Sequence, residues 1–175
     1  MGGDEYALIL RNAHTDPEQV ADDFRKALSG QLVSYGDKHD RITARIGTHA
    51  SDTCDAGLHR EARQEATRLG VGMHIHTAQS RQEAEFIRGR HGSGPLEYLR
   101  DIGMLAPDVV CAHLTFAGDG DLAAVAETGA AYAHCPIIYP RRGVYPRFGE
   151  IVAKGIPTGF ATDWMQNDPF EGMRN

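Results

Sequence analysis

The feature that most constrains this chain is a repeated order of short apolar runs and amphipathic stretches, spaced roughly 25 to 35 residues apart, the size of one βαβ unit. Strands are predicted at residues 41–46 (RITARI), 71–76 (VGMHIH), 109–114 (VVCAHL), 130–134 (AAYAH) and 158–162 (TGFAT). RITARI alternates polar and apolar residues, whereas VVCAHL reads as a buried strand. Helices are predicted over 55–69, from near Ser80 through Phe86 and Ile87, and over 95–102, 121–128 and 147–154. In the first of these, Leu58, Ala62, Ala66 and Leu69 share a face and Gly70 is the stop. Upstream, residues 5–10 are a short apolar run, and Asp16-Pro17-Glu18 opens a helix reaching about Ser29. Residues 136–146 carry three prolines and read as an irregular loop. Strands separated by helices imply an α/β class with a parallel sheet, in one domain over residues 1–175.

Polar residues fall in a particular place on this framework. His49 follows the first run, His76 ends the second, His113 ends the third, His134 ends the fourth and Asp163 follows the last. The carboxyl ends of parallel barrel strands are where loops converge and active sites form. Neutral imidazoles with one carboxylate suit Zn(II) or Fe(II), and either ion acidifies a bound water. Any one of these residues is more often structural: a histidine at a strand end is hydrogen-bonded, and an aspartate after a strand caps a helix. His74 and His76, two apart, share a side of their strand. The placement at five successive strand ends carries the inference, not any single member.

Charge and cysteine content exclude other classes. A formal net charge of −6 leaves no basic footprint for nucleic acid or anionic lipid. Cys54, Cys111 and Cys135 are dispersed, as in a reduced cytoplasmic protein, and the first residues do not resemble a signal peptide. No apolar run reaches the length of a membrane span.

A series of motifs then occurs in a specific order: Gly47-Thr48-His49-Ala50-Ser51-Asp52-Thr53-Cys54, His74-Ile75-His76-Thr77-Ala78-Gln79-Ser80, Gly94-Pro95-Leu96-Glu97-Tyr98-Leu99, Gly103-Met104-Leu105, Ala112-His113, Glu127-Thr128-Gly129-Ala130, Ala133-His134-Cys135-Pro136 and Ala161-Thr162-Asp163. This series resembles the amidohydrolase superfamily, nearest its cytosine-deaminase and triazine-hydrolase branch. The resemblance runs over residues 41–175, with 1–40 outside it. It implies a partial TIM-like (β/α) barrel of metal-dependent hydrolases, with about five to six βα units. It implies further that His76 and His113 ligate a divalent metal, Zn2+ or Fe2+, and that Asp163 both ligates it and takes the proton from its water. By the same resemblance His49 contacts substrate, His134 lines the site wall and His74 is structural. The implied reaction is hydrolysis of a carbon–nitrogen bond other than a peptide bond, in a small nitrogen heterocycle or amide.

Three departures bear on that expectation. The family takes two further ligands from a His-x-His on its first strand, and nothing before residue 41 matches it; His14 and His39 stand alone. Gln79 occupies the position where the branch usually has a glutamate that shuttles protons, and an amide cannot do so at neutral pH. Residues 137–143 replace a loop that often carries Ser-Asn; Arg141 and Arg142 there read as a solvated face, with anion binding as the alternative. A complete barrel takes roughly 250 residues. The expectation is therefore an incomplete barrel that binds metal weakly and turns over little alone. It would pair with a second copy or with a missing N-terminal half. The alternative is an inactive fragment serving as a binding or assembly module.

Overall fold

A computed structural model describes residues 45–163. The element order is β1 (Arg45–Ala50), α1 (Ala56–Leu69), β2 (Gly72–Thr77), α2 (Arg81–His91), α3 (Pro95–Asp101), β3 (Val109–His113), α4 (Asp119–Thr128), β4 (Ala131–His134), α5 (Ile138–Arg142), α6 (Phe148–Ala153) and β5 (Thr158–Phe160). The five strands form one sheet in the order β1-β2-β3-β4-β5, every neighbouring pair parallel. The expected apolar run at 5–10 and helix at 16–29 lie outside the described residues.

Local chemistry sets the helix boundaries. Asp55 accepts the Leu58 N–H at 2.9 Å and caps α1, while Ser80 accepts the Glu83 N–H at 3.1 Å and caps α2. α1 closes on Gly70 at φ 63°, a left-handed turn that residues with a Cβ adopt at a cost. Asp121 serves two helices from one buried carboxylate. It accepts the Leu96 and Glu97 N–H groups at the start of α3, at 2.8 and 3.3 Å, and the Gly118 N–H ahead of α4 at 2.8 Å.

The structure differs from the sequence expectation at three elements. Among the described residues the first strand runs on to Ala50, past the expected end at 46, so His49 lies within it instead of after it, and residues 41–44 lie outside the described residues. Pairing with β2 reaches Ala50, opposite His76. Arg45 aligns with Gly72, and its guanidinium reaches the carbonyls of Met73 and Asp108 at 3.3 and 2.9 Å. Leu58 is 49% exposed; α1 is turned so that His59 and Ala66 are buried, with His59 Nδ1 3.1 Å from the Thr48 hydroxyl on β1. The loop expected at 136–146 contains α5. Pro140 is tolerated there because the first N–H groups of a helix have no intrahelical partner.

The register separates the two faces of the sheet. Thr48, Ile75, Cys111, Tyr132 and Thr158 lie in one row across the strands. Met73, Ile75, Val109, Cys111 and Tyr132 pack with Leu96, Leu99, Leu122 and Val125 of the helices in a continuous apolar core. The row on the opposite face runs His76, Ala112, Ala133 and Gly159. The residues beside the imidazole in this row are small.

Candidate metal centre

β2 delivers its histidines by simple alternation. Met73, Ile75 and Thr77 are buried on the helix side, and His74 and His76 point the other way. His76 Nδ1 lies 2.8 Å from the backbone carbonyl of His49, which can only accept, so Nδ1 carries the proton and Nε2 is left as the basic nitrogen. This is the outer hydrogen bond that metal-ligating histidines make. The β1 register shift between Thr48 and Ala50 brings the His49 ring to 5.5 Å from that of His76, with His49 Nδ1 2.7 Å from the Thr53 hydroxyl.

His113 reaches the same place by another route. Strand alternation would set it on the helix side with Val109 and Cys111. Its backbone instead turns left-handed, φ 78°, and its ring stacks on that of His76 at 5.5 Å. His113 is 3% exposed, and its Nδ1 makes no hydrogen bond among the described residues. Burial pushes its pKa down to about 4 against the opposing pull of the Asp163 carboxylate, so the ring is neutral at pH 7. Asp163 too has a positive φ, 55°, and Ala78 and Leu114 complete the set of such non-glycine residues among those described. All four sit at the carboxyl ends of β2 and β3 or after β5. Backbone conformations of this kind cost energy and gather at functional sites.

Three side chains converge closely here. Ligand atoms of His113, Cys135 and Asp163 all lie within 4.8 Å of one another. His76 is outside that trio and joins it through the stacked ring of His113. Imidazole, carboxylate and thiol donors suit zinc, and the unsatisfied buried Nδ1 of His113 is the kind of atom that a bound ion explains.

The remaining expected residues are placed as follows. Gln79 lies in the β2–α2 connection, where its backbone N–H donates to Glu83 at 2.9 Å. Glu83 is a residue that sequence reasoning missed. It is buried, accepts the Ala78 N–H at 2.9 Å and the Ser51 hydroxyl, and so ties the loops after β1 and β2 together. Burial raises its pKa above the usual range, against those hydrogen bonds. His134, expected on the site wall, shares the helix-facing side with Tyr132 and packs against Phe148 at 4.4 Å and Phe160 at 5.7 Å. Burial pushes its pKa down to about 4. Arg141 and Arg142 are exposed, and the Arg142 charge contributes to lowering the His113 pKa. Cys135 was also missed as a site residue. Its position directly after a strand-end histidine was the available signal.

Comparison with known proteins follows the same lines. A 5-methylthioadenosine/S-adenosylhomocysteine deaminase of Symbiobacterium thermophilum is 36% identical over 126 residues, covering 70% of this chain and 29% of the relative. A zinc-bound adenosine deaminase from Xanthomonas campestris superposes with a TM-score of 0.69 at 19% identity, covering 91% of this chain and 36% of that one. Atrazine chlorohydrolase from Arthrobacter aurescens TC1, complexed with zinc, superposes with a TM-score of 0.61 at 22% identity, covering 81% and 32%. The chain thus spans about a third of the length of the curated relatives it matches. These superpositions bear out the fold: the five-stranded parallel sheet is part of a (β/α) barrel. The sequence pattern of the amidohydrolase family matches residues 11–175, and the chain belongs to that family.

Proposed function

We propose that this chain carries part of the active face of a metal-dependent hydrolase. Its reaction would be the addition of water at a carbon–nitrogen bond of a small nitrogen heterocycle. One observation carries the reading: ligand atoms of His113, Cys135 and Asp163 converge at the carboxyl end of the sheet, with the His76 ring stacked 5.5 Å from that of His113. His76 through Nε2, His113 and Asp163 would hold a divalent ion, zinc or iron, with the Cys135 thiol within reach. Such an ion, when bound, supplies Lewis acidity that brings the pKa of water toward neutrality. Asp163 takes the proton from the attacking water, and His49, at the edge of the imidazole group, contacts substrate. The substrate class is supported by relatives named as deaminases of 5-methylthioadenosine, S-adenosylhomocysteine and 5′-deoxyadenosine.

A second reading is favoured by Gln79. An amine leaving group needs a proton, which an amide side chain cannot shuttle. A leaving group that departs as a stable anion needs none, and the likeness to an atrazine chlorohydrolase supports that variant. For the surroundings, we place the protein in the cytoplasm, supported by three cysteines outside any disulfide. Among the described residues no helix is long and apolar enough to cross a membrane. The three residues of β5 are exposed, which supports further chain or a second copy lying against that end of the sheet.

Elemental mass spectrometry of the purified protein beside His113→Ala tests the centre. Near-stoichiometric zinc or iron, lost in the variant, is expected. Ammonia release from 5′-methylthioadenosine and from adenosine then tests the reaction, with chloride release from a chlorotriazine as the rival. Equal metal in both proteins, or none in either, would sink the reading.

A further inference from the structure

Behind the centre runs a buried chain of hydroxyl groups that none of the steps above uses. Tyr139, on α5, is 2% exposed. Its hydroxyl lies 3.1 Å from the Cys135 N–H, 3.3 Å from the His113 carbonyl and 3.0 Å from the Tyr132 hydroxyl. The Tyr132 hydroxyl in turn lies 2.7 Å from His134 Nδ1. Counting protons sets the direction, because each phenol has one to give. The Tyr139 proton goes to the His113 carbonyl, since a carbonyl can only accept. The Cys135 N–H and the Tyr132 O–H then both donate to the Tyr139 oxygen. His134 completes the chain by donating its Nδ1 proton to Tyr132. Every buried polar atom in the series is satisfied in this arrangement.

Both backbone groups that Tyr139 holds belong to residues of the converging trio, His113 and Cys135. The carbonyl that Tyr139 holds belongs to His113 itself, the residue whose left-handed φ accompanies the turn of its ring toward His76. A residue with a Cβ holds that conformation only where surrounding contacts compel it. Tyr139 packs with Cys135 and Ile138 in a small buried cluster against Ala161, which holds the phenol in place.

We propose that Tyr139 is a positioning residue of the metal centre: its hydroxyl fixes the His113 backbone in the left-handed conformation that turns the imidazole away from the apolar core and toward Asp163. The proposal rests on the reading of His113 as a metal ligand. Tyr132 acts one step further back, by orienting the Tyr139 hydroxyl.

The test compares wild type, Tyr139→Phe and Tyr132→Phe, each keeping its ring. Two quantities are read. One is zinc affinity by competition with a chromophoric chelator. The other is the His113 backbone angle in metal-free protein, from its three-bond HN–Hα coupling and the adjoining nuclear Overhauser effects. Tyr139→Phe is expected to weaken zinc about 10- to 100-fold, the range for loss of an outer-shell partner. It should also move His113 out of the left-handed region, with Tyr132→Phe shifting both quantities less and in the same direction. Unchanged coupling in Tyr139→Phe would overturn the proposal, even if that variant unfolds at lower urea, since the phenol would then be packing alone. Wild-type protein that takes up no zinc, yet loses the left-handed His113 in Tyr139→Phe, supports the positioning role and counts against the metal reading. If Tyr139→Phe does not fold, the same two readouts on Tyr132→Phe decide.

Discussion

The helix-facing layer and the carboxyl rim are built from the same strands on opposite terms. In the layer, Met73, Ile75, Val109, Leu99 and Leu122 are fully buried and follow strand or helix periodicity throughout. At the rim, His113 and Asp163 break that periodicity with positive φ, and a buried imidazole nitrogen has no hydrogen bond among the described residues. One region gains free energy by removing apolar surface from water, and only Ala78 and Leu114, at its carboxyl edge, share the rim's positive φ among its described residues. The other holds strain and an unsatisfied polar atom so that three ligand atoms can approach one another. A protein carries such a rim when the layer beneath is stable enough to support it.

The sharpest way to break this comparison is to remove volume from the layer. Leu99→Ala should lower the unfolding free energy by about 2–5 kcal/mol, as large-to-small core changes do. Zinc uptake by the folded fraction should be unchanged. Urea unfolding with parallel metal analysis checks both, and loss of zinc from well-folded Leu99→Ala protein would show that the two regions are not separable. A smaller loss, roughly 2 kcal/mol, is expected for Asp121→Ala, because one carboxylate caps two helices and a single cap is worth about 1 kcal/mol. Urea midpoints of Asp121→Ala beside Asp121→Asn measure it. An Asp121→Ala midpoint within error of wild type would mean that water replaces the carboxylate at those N–H groups.

The layer was legible in the sequence and the rim only partly, for reasons that follow from this difference. Alternating apolar residues, the Asp55 and Ser80 caps and the Gly70 stop are local signals, and they mark α1, β2 and the start of α2 to within a residue or two. His76 is reached by strand alternation alone, so sequence could aim it. His113 points where it does because of a left-handed turn, which no pattern of neighbouring residues announces. The closeness of Cys135 to Asp163 depends on strands that meet in space and lie far apart in sequence. Tyr139 was lost in a proline-containing stretch read as a loop, since a five-residue helix leaves too little periodicity to detect. The underestimated end of the first strand has a similar origin: the sequence does not mark where it stops, and pairing with β2 carries it on to Ala50.

Strain at the rim can be measured directly. Replacing His113 by glycine removes a buried ring but also relieves a positive φ, a conformation costing about 1–3 kcal/mol for a residue with a side chain. His113→Gly should therefore leave the metal-free protein within about 1 kcal/mol of wild type, the two effects offsetting. Zinc binding should be lost. Urea unfolding in chelator checks the first part. A loss as large as that of Leu99→Ala would place His113 energetically in the layer.

The smallest expected effect separates the two regions by pH. His59 belongs to the layer: it is 0% exposed, with Nδ1 beside the Thr48 hydroxyl and Nε2 lacking a hydrogen-bond partner among the described residues. Burial lowers its pKa below the ordinary 6.5, partly offset by the Asp55 carboxylate. For a base depressed on folding, the unfolded chain binds the proton first. Its contribution is thus fully present above pH 6.5 and is lost as pH falls toward the folded pKa. The rim histidine His113 titrates in the same sense, so wild-type stability should decline on both accounts below pH 6.5. His59→Gln should make that decline shallower without touching zinc affinity at neutral pH, whereas His113→Gly should make it shallower and abolish zinc binding. Unfolding free energies of metal-free protein at pH 7.5 and 5.5 provide the slopes. An unchanged slope in His59→Gln would mean that the imidazole finds water on protonation, and that the layer beneath β1 opens more readily than its packing indicates.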